Sequence, residues 1–224
     1  MPTRRQFVRL GTLSVASLAV GCVRDAHSPA AIADAAPEAD TLADALDAEV
    51  LPPTPACLDT DDNILGPYYR DGAPLRSDLV DPPTLPGTRF ALSGRVLGPD
   101  CKTPLVGATV DVWQADAAGA YDDGIFPPPP DLFRLRGRVI VDASGRYSFK
   151  TLIPGHYLNG AQYRPAHVHV KITAAGHREL VTQLYFEGDP YNEIDPYIKP
   201  RLIMKLVADG AGKQATYDFV LASA

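Results

Sequence analysis

Cysteine is scarce in this sequence: its 224 residues include three, at positions 22, 57 and 101. They form no CxxC pair, so neither a thiolate zinc site nor a dithiol redox motif is predicted. Basic side chains are also in the minority, with 21 Lys and Arg against 27 Asp and Glu and a formal net charge of −6. A phosphate-binding surface needs a basic stripe, so this balance argues against a nucleic-acid partner.

Long apolar runs and helical periodicity are missing as well. Beyond the N-terminal segment no stretch approaches the roughly 18 consecutive apolar residues of a membrane-spanning helix. The chain is instead rich in residues that interrupt helices, with 22 Pro and 18 Gly. An all-helical bundle is therefore disfavoured. The apolar content of 46% is sufficient to build a core.

Short segments of alternating polarity recur after residue 89, separated by turn signals such as Ser144-Gly145 and Asp209-Gly210. Their wealth of Val, Ile, Tyr, Phe and Thr is typical of β-strands. We predict an all-β fold, a β-sandwich of about eight strands with long Pro-rich loops. The predicted strands are Phe90–Leu97, Ala108–Gln114, Arg138–Asp142, Arg146–Thr151, Ala166–Thr173, Glu179–Phe186, Leu202–Val207 and Thr216–Leu221.

The N-terminus has the pattern of an export signal. Paired Arg4 and Arg5 are followed by Phe7 and then by an apolar run from Leu10 to Gly21. This resembles the twin-arginine signal, which carries folded proteins across a membrane, and predicts a periplasmic or extracellular location. Cys22 at its end is either a lipid attachment site, which would tether the protein to a membrane, or lies beside a simple cleavage site.

The predicted export signal divides the chain into three parts. Residues 1–22 are predicted to be the export signal, residues 23–56 an acidic flexible linker, and residues 57–224 one β-sandwich catalytic domain. In an oxidising compartment the two remaining cysteines, Cys57 and Cys101, are predicted to form a disulfide.

Histidine is concentrated in one segment: four of the five lie between residues 156 and 177. His167 and His169 are two positions apart in a predicted strand, so their side chains share one face and can bind one metal ion. The alternative is a half-buried strand whose polar face carries histidine. His156 and His177 are interpreted as bystanders.

Two tyrosines, Tyr121 and Tyr157, are predicted at the ends of loops rather than within strands. Arg164 brings a fixed positive charge just ahead of the histidine pair. Two phenolates and two imidazoles suit ferric iron, because phenolate is a hard anionic donor and Fe(III) lowers the pKa of the phenol. Zinc more usually takes His, Cys or carboxylate ligands.

Several motifs resemble the intradiol ring-cleavage dioxygenases, the family of catechol 1,2- and protocatechuate 3,4-dioxygenases. The resemblance spans residues 57 to about 221, with the motifs in the family's order. They are Ile64-Leu-Gly-Pro-Tyr-Tyr-Arg70, Trp113-Gln-x-Asp116 with Tyr121, Phe133-Arg-x-Arg-Gly137, Pro154-Gly-His-Tyr157 and Arg164-Pro-Ala-His-Val-His169.

This resemblance implies a non-haem Fe(III) enzyme of aromatic catabolism that cleaves a catechol between its two hydroxylated carbons with O2, giving a muconate-type diacid. By position, Tyr121, Tyr157, His167 and His169 would bind the iron. Tyr157 would be released by the substrate and accept its proton. Arg164 and Gln183 would stabilise negative charge on the ring, and Ile64 and Pro67 would line the substrate pocket.

The sequence allows more than one substrate, assembly and function. Leu158-Asn159 follows Tyr157 where protocatechuate enzymes often carry Trp, and the helical N-terminal region of catechol enzymes is missing, so the ring substituent is undetermined. A homo-oligomer is one alternative for the assembly. The competing functions are a non-catalytic prealbumin-like binding module and an exported iron or copper site with another role. Delivery of two Tyr and two His together favours the enzyme.

Overall fold

The domain is built around an apolar core that lies between two β-sheets. A computed structural model describes residues 57–125 and 127–224, so the predicted export signal, Cys22 and the linker lie outside the described residues. Its strands are β1 Arg89–Leu97, β2 Thr109–Trp113, β3 Arg136–Ile140, β4 Arg146–Leu152, β5 Tyr157–Asn159, β6 Gln162–Arg164, β7 His167–Thr173, β8 Leu180–Phe186, β9 Ile203–Met204, β10 Val207–Asp209, β11 Gly212–Thr216 and β12 Phe219–Val220.

The first sheet is arranged around β1, which pairs with β4 on one side and with β11 and β12 on the other, while β10 pairs with β11. The second sheet has the order β3-β2-β7-β8-β9. Strands β5 and β6 form a separate hairpin. The helical content of the described residues is two short 3-10 turns, Asp122–Gly124 and Pro200–Leu202. None of the described helices is long and apolar enough to cross a membrane.

Side chains alternate between the two faces of a sheet along each strand, so one face of the strand packs into the core and the other does not. In β1, Phe90, Leu92 and Val96 are buried in the core, while Arg95 is exposed. In β7 the apolar positions, Val168, Val170 and Ile172, also belong to the core. Because neighbouring side chains in a strand point to opposite faces, His167 and His169 lie on the other face of the second sheet.

That other face is covered by the chain between residues 59 and 76. A Cβ on Gly66 would lie 3.1 Å from Cε1 of His169, and the ring of Tyr69 packs edge-on against Trp113 with centroids 4.9 Å apart. The side-chain amide of Gln183 donates to the carbonyl of Ile64 at 2.8 Å. The histidines are therefore buried although they face away from the core between the sheets.

The all-β prediction is confirmed, and two of its details are wrong. The predicted strand Leu202–Val207 is interrupted, because Leu202 ends a 3-10 turn and residues 205 and 206 separate β9 from β10. The predicted strand Thr216–Leu221 is likewise divided between β11 and β12. Strands β11 and β12 both pair with β1, but at different positions along it, so the chain must bend between them.

The β5–β6 hairpin was missed by the sequence prediction. Its strands have three residues each, too few for a pattern of alternation to be read. Its turn does carry a signal, Asn159-Gly160, and Gly160 adopts a φ of +66°, a conformation that favours glycine.

The structure joins Cys57 and Cys101 in a disulfide, as predicted. The bond connects the start of the described chain to the turn after β1, closing an interval of 44 residues. We expect the double variant Cys57→Ser/Cys101→Ser to lose about 4 kcal/mol of unfolding free energy, because the open chain gains conformational entropy when it unfolds. Urea denaturation measures the loss, and the reduced natural protein should unfold at the same urea concentration as the variant. Equal midpoints for the variant and the oxidised protein would contradict this expectation.

Candidate active site

The two histidines of β7 lie side by side, with ring centroids 4.8 Å apart. Both side chains are buried, with 3% and 1% of their surface exposed. Across the sheet His167 is paired with Tyr185 and His169 with Gln183 on β8, while Trp113 on β2 lies on the other side of His169. The Trp113 ring stacks on the imidazole of His169 at 4.7 Å. These neighbours hold both imidazoles in place.

The rings of Tyr121, Tyr157, His167 and His169 lie together, and each of them neighbours two of the others; we call these four side chains the ring circuit. The ring centroids of Tyr121 and Tyr157 are 5.7 Å apart, Tyr157 is 5.6 Å from His167, and Tyr121 is 6.5 Å from His169. Tyr121 lies at the end of the loop after β2, and Tyr157 begins β5. The structure thus brings together all four residues that were predicted as iron ligands.

Glycine allows the loops that carry the two tyrosines to pack directly against each other. A Cβ on Gly119, whose φ is +85°, would lie 2.1 Å from the carbonyl oxygen of His156, and one on Gly155 would lie 2.5 Å from the carbonyl oxygen of Ala117. The N–H of Gly155 donates to the carbonyl of Asp116 at 2.8 Å. Any larger side chain at either glycine would push the tyrosines apart.

The polar atoms of this circuit fit a metal ion. The hydroxyl of Tyr121, Nε2 of His167 and both ring nitrogens of His169 are buried, and they have no hydrogen-bond partner among the described residues. Such atoms are rare in folded proteins because leaving them unpaired is costly. One phenol oxygen and two imidazole nitrogens with no other partner, beside a second phenol, form a donor set that suits Fe(III).

The histidines are held in the neutral form that binds metals. Burial, assisted by the positive charge of Arg164, lowers the pKa of His167 to about 3. Burial also lowers the pKa of His169 well below its ordinary value. Nδ1 of His167 lies 2.7 Å from the carbonyl oxygen of Pro165, an arrangement that places the proton on Nδ1 and leaves Nε2 as an acceptor.

The tyrosines are held in the neutral phenol form by the protein alone. Burial raises the pKa of Tyr121 well above its ordinary value, and it raises the pKa of Tyr157 against the opposing effect of the positive charge of Arg164. A bound multivalent cation would reverse this balance by stabilising the phenolates.

Arg164 and Gln183, the two predicted charge-stabilising residues, lie in one buried network. Nη2 of Arg164 donates to Oε1 of Gln183 at 2.8 Å, and Nε donates to the carboxylate of Asp195. The guanidinium also lies 4.8 Å from the ring centroid of Tyr197. Because Oε1 of Gln183 accepts this bond while its amide donates to Ile64, both ends of the glutamine are fixed.

A second buried ion pair supports the Tyr121 loop. Asp122 accepts two hydrogen bonds from Arg136, at 3.0 and 2.6 Å, and Arg136 also donates to the carbonyl of Tyr68 at 2.6 Å. The Tyr68 ring stacks on Tyr121 with centroids 4.1 Å apart. This arrangement fixes the position of Tyr121 from both of its sides.

A cavity of about 460 Å³ opens beside the two tyrosines. Pro67, predicted to line the substrate pocket, lines it together with Tyr68, Tyr121 and Tyr157. Ile64 is not among the described residues that line this cavity, and its carbonyl instead holds Gln183. The bystander His156 pairs with Asp189 at 2.8 Å rather than joining the ring circuit.

Sequence reasoning missed Asp195 and Asp122. Asp195 is 31 residues beyond Arg164 in a loop without regular structure, so no local pattern connects the two. Asp122 does carry a weak signal, because it follows Tyr121 directly and its partner Arg136 belongs to the Phe133–Gly137 motif.

The fold and site define a class: a β-sandwich in which two phenols and two imidazoles meet at one buried point beside a cavity. A family model described as dioxygenase matches residues 64–223. The chain is 36% identical over 190 residues to chlorocatechol 1,2-dioxygenase of Rhodococcus opacus, covering 72% of each chain. It is 43% identical over 141 residues to the protocatechuate 3,4-dioxygenase beta chain of Burkholderia cepacia, covering 59% of this chain and 57% of that one.

A solved structure is also similar. The dioxygenase domain of a carbohydrate-binding fusion protein from Streptomyces sp. SirexAA-E superposes with a TM-score of 0.65 at 38% identity, over 74% of this chain and 99% of that one. The chain belongs to the intradiol ring-cleavage dioxygenase family.

Proposed function

We propose that this protein is a non-haem Fe(III) dioxygenase that cleaves a catechol between its hydroxylated carbons with O2, yielding a muconate-type diacid. The observation that carries the proposal is the set of buried donor atoms without partners on Tyr121, His167 and His169, closed into one circuit by Tyr157. A binding module of the same fold has no use for such a set, because each unpaired buried atom lowers its stability.

Tyr121, Tyr157, His167 and His169 would hold the iron. When bound, Fe(III) would bind the catechol oxygens and make the ring reactive towards O2. The neutral imidazoles supply nitrogen donors without adding charge. The two tyrosines supply anionic oxygens that balance the charge of the cation.

The surrounding residues would act on the substrate directly. Tyr157 is the less buried of the two tyrosines and is paired with Arg164 across the β5–β6 hairpin, so its oxygen is suited to accept a proton from a catechol hydroxyl. The fixed guanidinium of Arg164 places positive charge where the ring becomes electron-rich. Gln183 and Asp195 hold that guanidinium before the substrate arrives, so no reorganisation is needed during the reaction.

Iron loading followed by oxygen uptake tests the proposal. We expect the iron-loaded protein to show a visible phenolate-to-iron absorption band and to consume one O2 for each catechol, with a ring-opened diacid as the product. His177→Ala is the matched control for His169→Ala, because His177 pairs with the carbonyl of Ala175 on a surface turn and takes no part in the circuit. Only His169→Ala should abolish the band. A protein that stays colourless with iron and consumes no O2 would overturn the proposal.

We further propose that the protein is exported by the twin-arginine route and acts outside the cytoplasm, anchored through Cys22 or released. The paired Arg4 and Arg5 before an apolar run support export. Cell fractionation tests this, since the Arg4→Lys/Arg5→Lys variant should stay in the cytoplasm. If the exported protein is lipid-anchored, Cys22→Ser should move it from the membrane to the soluble fraction.

A further inference from the structure

A second cavity, of about 530 Å³, lies where strands β3 and β4 diverge. The two strands are joined by a turn in which the N–H of Asp142 donates to the carbonyl of Arg146 at 2.9 Å. Beyond this turn β3 pairs with β2 in the second sheet, and β4 pairs with β1 in the first. The strands therefore separate, and we call the space between them the β3–β4 groove. Among the described residues it shares none of its lining with the cavity beside the tyrosines.

The edge of β3 that faces the groove has unpaired backbone groups. The N–H of Arg138 donates to the carbonyl of Pro74 at 2.9 Å, and its carbonyl accepts from the N–H of Arg76 at 3.0 Å, both on the side away from β2. Ile140 lies two positions further along, so its N–H and C=O point to the same side. No backbone group of the described residues bonds to them there. Such an edge offers a hydrogen-bond donor to a ligand.

The edge of β4 is open at the same level. The N–H of Lys150 donates to the carbonyl of Ser77 at 2.7 Å, and its carbonyl accepts from the N–H of Leu79 at 2.9 Å. Ser148 lies two positions earlier and points its N–H and C=O to this edge, again with no backbone partner among the described residues. Two backbone N–H groups, those of Ile140 and Ser148, are thus available on opposite walls of the groove.

The lining of the groove carries a net positive charge. Arg76, Arg138 and Arg146 line it, and Asp142 is the one acid among its described lining residues. Oδ1 of Asp142 accepts from the N–H of Arg146 at 2.9 Å and from the hydroxyl of Ser144 at 2.7 Å, so this carboxylate is bonded within its own turn. The lining therefore favours a negatively charged ligand.

Two of the three arginines have free donors. Arg76 is bonded to the fold through all three of its guanidinium nitrogens. Arg138 donates through Nε to a backbone carbonyl at 2.5 Å, and its two terminal nitrogens have no partner among the described residues. The buried Asp111, opposite Arg138 on β2, accepts instead from the hydroxyl of Tyr69 at 3.3 Å. The side chain of Arg146 is exposed and likewise has no bonded partner within the described part of the chain.

The two free guanidinium groups belong to opposite ends of the groove. Arg146 lies in the turn that closes one end, and Arg138 precedes its turn partner Asp142 by four residues, or about 13 Å along an extended strand. Between these ends the lining includes two exposed aliphatic side chains, Leu75 and Ile140. A ligand that fits this arrangement has an anionic group at each end and an apolar middle.

We propose that the β3–β4 groove binds a small organic dicarboxylate, with one carboxylate at Arg138 and the other at Arg146. The open N–H groups of Ile140 and Ser148 would donate to the same ligand. Guanidinium groups suit this task because they bind a carboxylate through two parallel hydrogen bonds. The muconate-type diacid of the proposed reaction belongs to this class, but neither the groove nor its test depends on that reaction.

Isothermal titration calorimetry of the metal-free full chain with adipate, a saturated diacid, tests the proposal. We expect one adipate to bind per chain, and hexanoate, which keeps the aliphatic chain but has a single carboxylate, to bind at least about tenfold more weakly. Arg138→Gln and Arg146→Gln should each weaken adipate binding by about tenfold or more. Arg178→Gln is the matched control, because it removes the same charge from an exposed arginine outside the groove and should leave the affinity unchanged.

Amide NMR spectra of the natural protein locate the ligand without any variant. The N–H resonances of Ile140 and Ser148 should shift as adipate is added. Adipate that does not bind, hexanoate that binds equally well, or an affinity that neither groove variant lowers would overturn the proposal. It also fails if Arg178→Gln weakens binding as much as the groove variants do, or if adipate binds while the two resonances stay in place.

Discussion

The Tyr121→Phe variant is expected to bind iron more weakly and yet to unfold less readily when metal-free. Loss of a direct ligand should reduce iron affinity and kcat/KM by more than about 100-fold, the upper end of the loss seen for residues that only orient ligands. The same change removes a buried hydroxyl without a hydrogen-bond partner among the described residues. Removing such a group should add about 1–3 kcal/mol to the free energy of unfolding.

Tyr147→Phe provides the matched control, because Tyr147 is also buried but donates its hydroxyl to the carbonyl of Tyr217 at 2.7 Å. This variant should lose about 1 kcal/mol of stability and keep the visible iron band. Urea denaturation of the metal-free proteins and iron titration followed by absorbance measure both effects. A metal-free Tyr121→Phe variant that is less stable than the parent would contradict the assignment of this hydroxyl as a ligand.

Asp195→Asn is expected to lower kcat by about 100-fold while the iron band stays in place. Asp195 acts as a positioning residue, since its fully buried carboxylate accepts the Nε–H of Arg164 and does not belong to the ring circuit. Preorganised charge of this kind typically contributes a factor of about 100 to 1,000 in rate. KM should change much less than kcat, because the guanidinium matters most when negative charge develops on the substrate.

Asp218→Asn, which changes the exposed pair of Arg95 and Asp218, is the matched control for Asp195→Asn. Asp218 accepts two hydrogen bonds from the Arg95 side chain, at 3.1 and 2.7 Å, on the surface of the first sheet. Asp218→Asn should leave kcat unchanged and alter stability by less than about 1 kcal/mol. If Asp195→Asn also leaves kcat unchanged, Asp195 serves folding alone.

The sequence predicts that His167 and His169 share one face of the sheet and that Tyr121 and Tyr157 lie near them, because the signals for both are local. Two histidines at i and i+2 determine their common face, and Tyr121 and Tyr157 each stand beside a turn. The partners of the charged residues carry no such signal. Asp195 reaches Arg164 through a loop whose course depends on the completed fold, and the two-residue strand β9 forms only because the end of β8 is already in place to pair with it.

The close contacts of Gly119 with His156 and of Gly155 with Ala117 have a consequence for exchanging parts between related proteins. The loop that carries Tyr121 and the loop that precedes Tyr157 are sterically complementary. They must therefore be exchanged together, although strands β3 and β4 separate them in the chain. A chimera that inherits only one of these loops would carry a mismatched surface beside the two tyrosines and the two histidines. Transfer of both loops together would preserve the contact and, with it, the spacing of the two phenols.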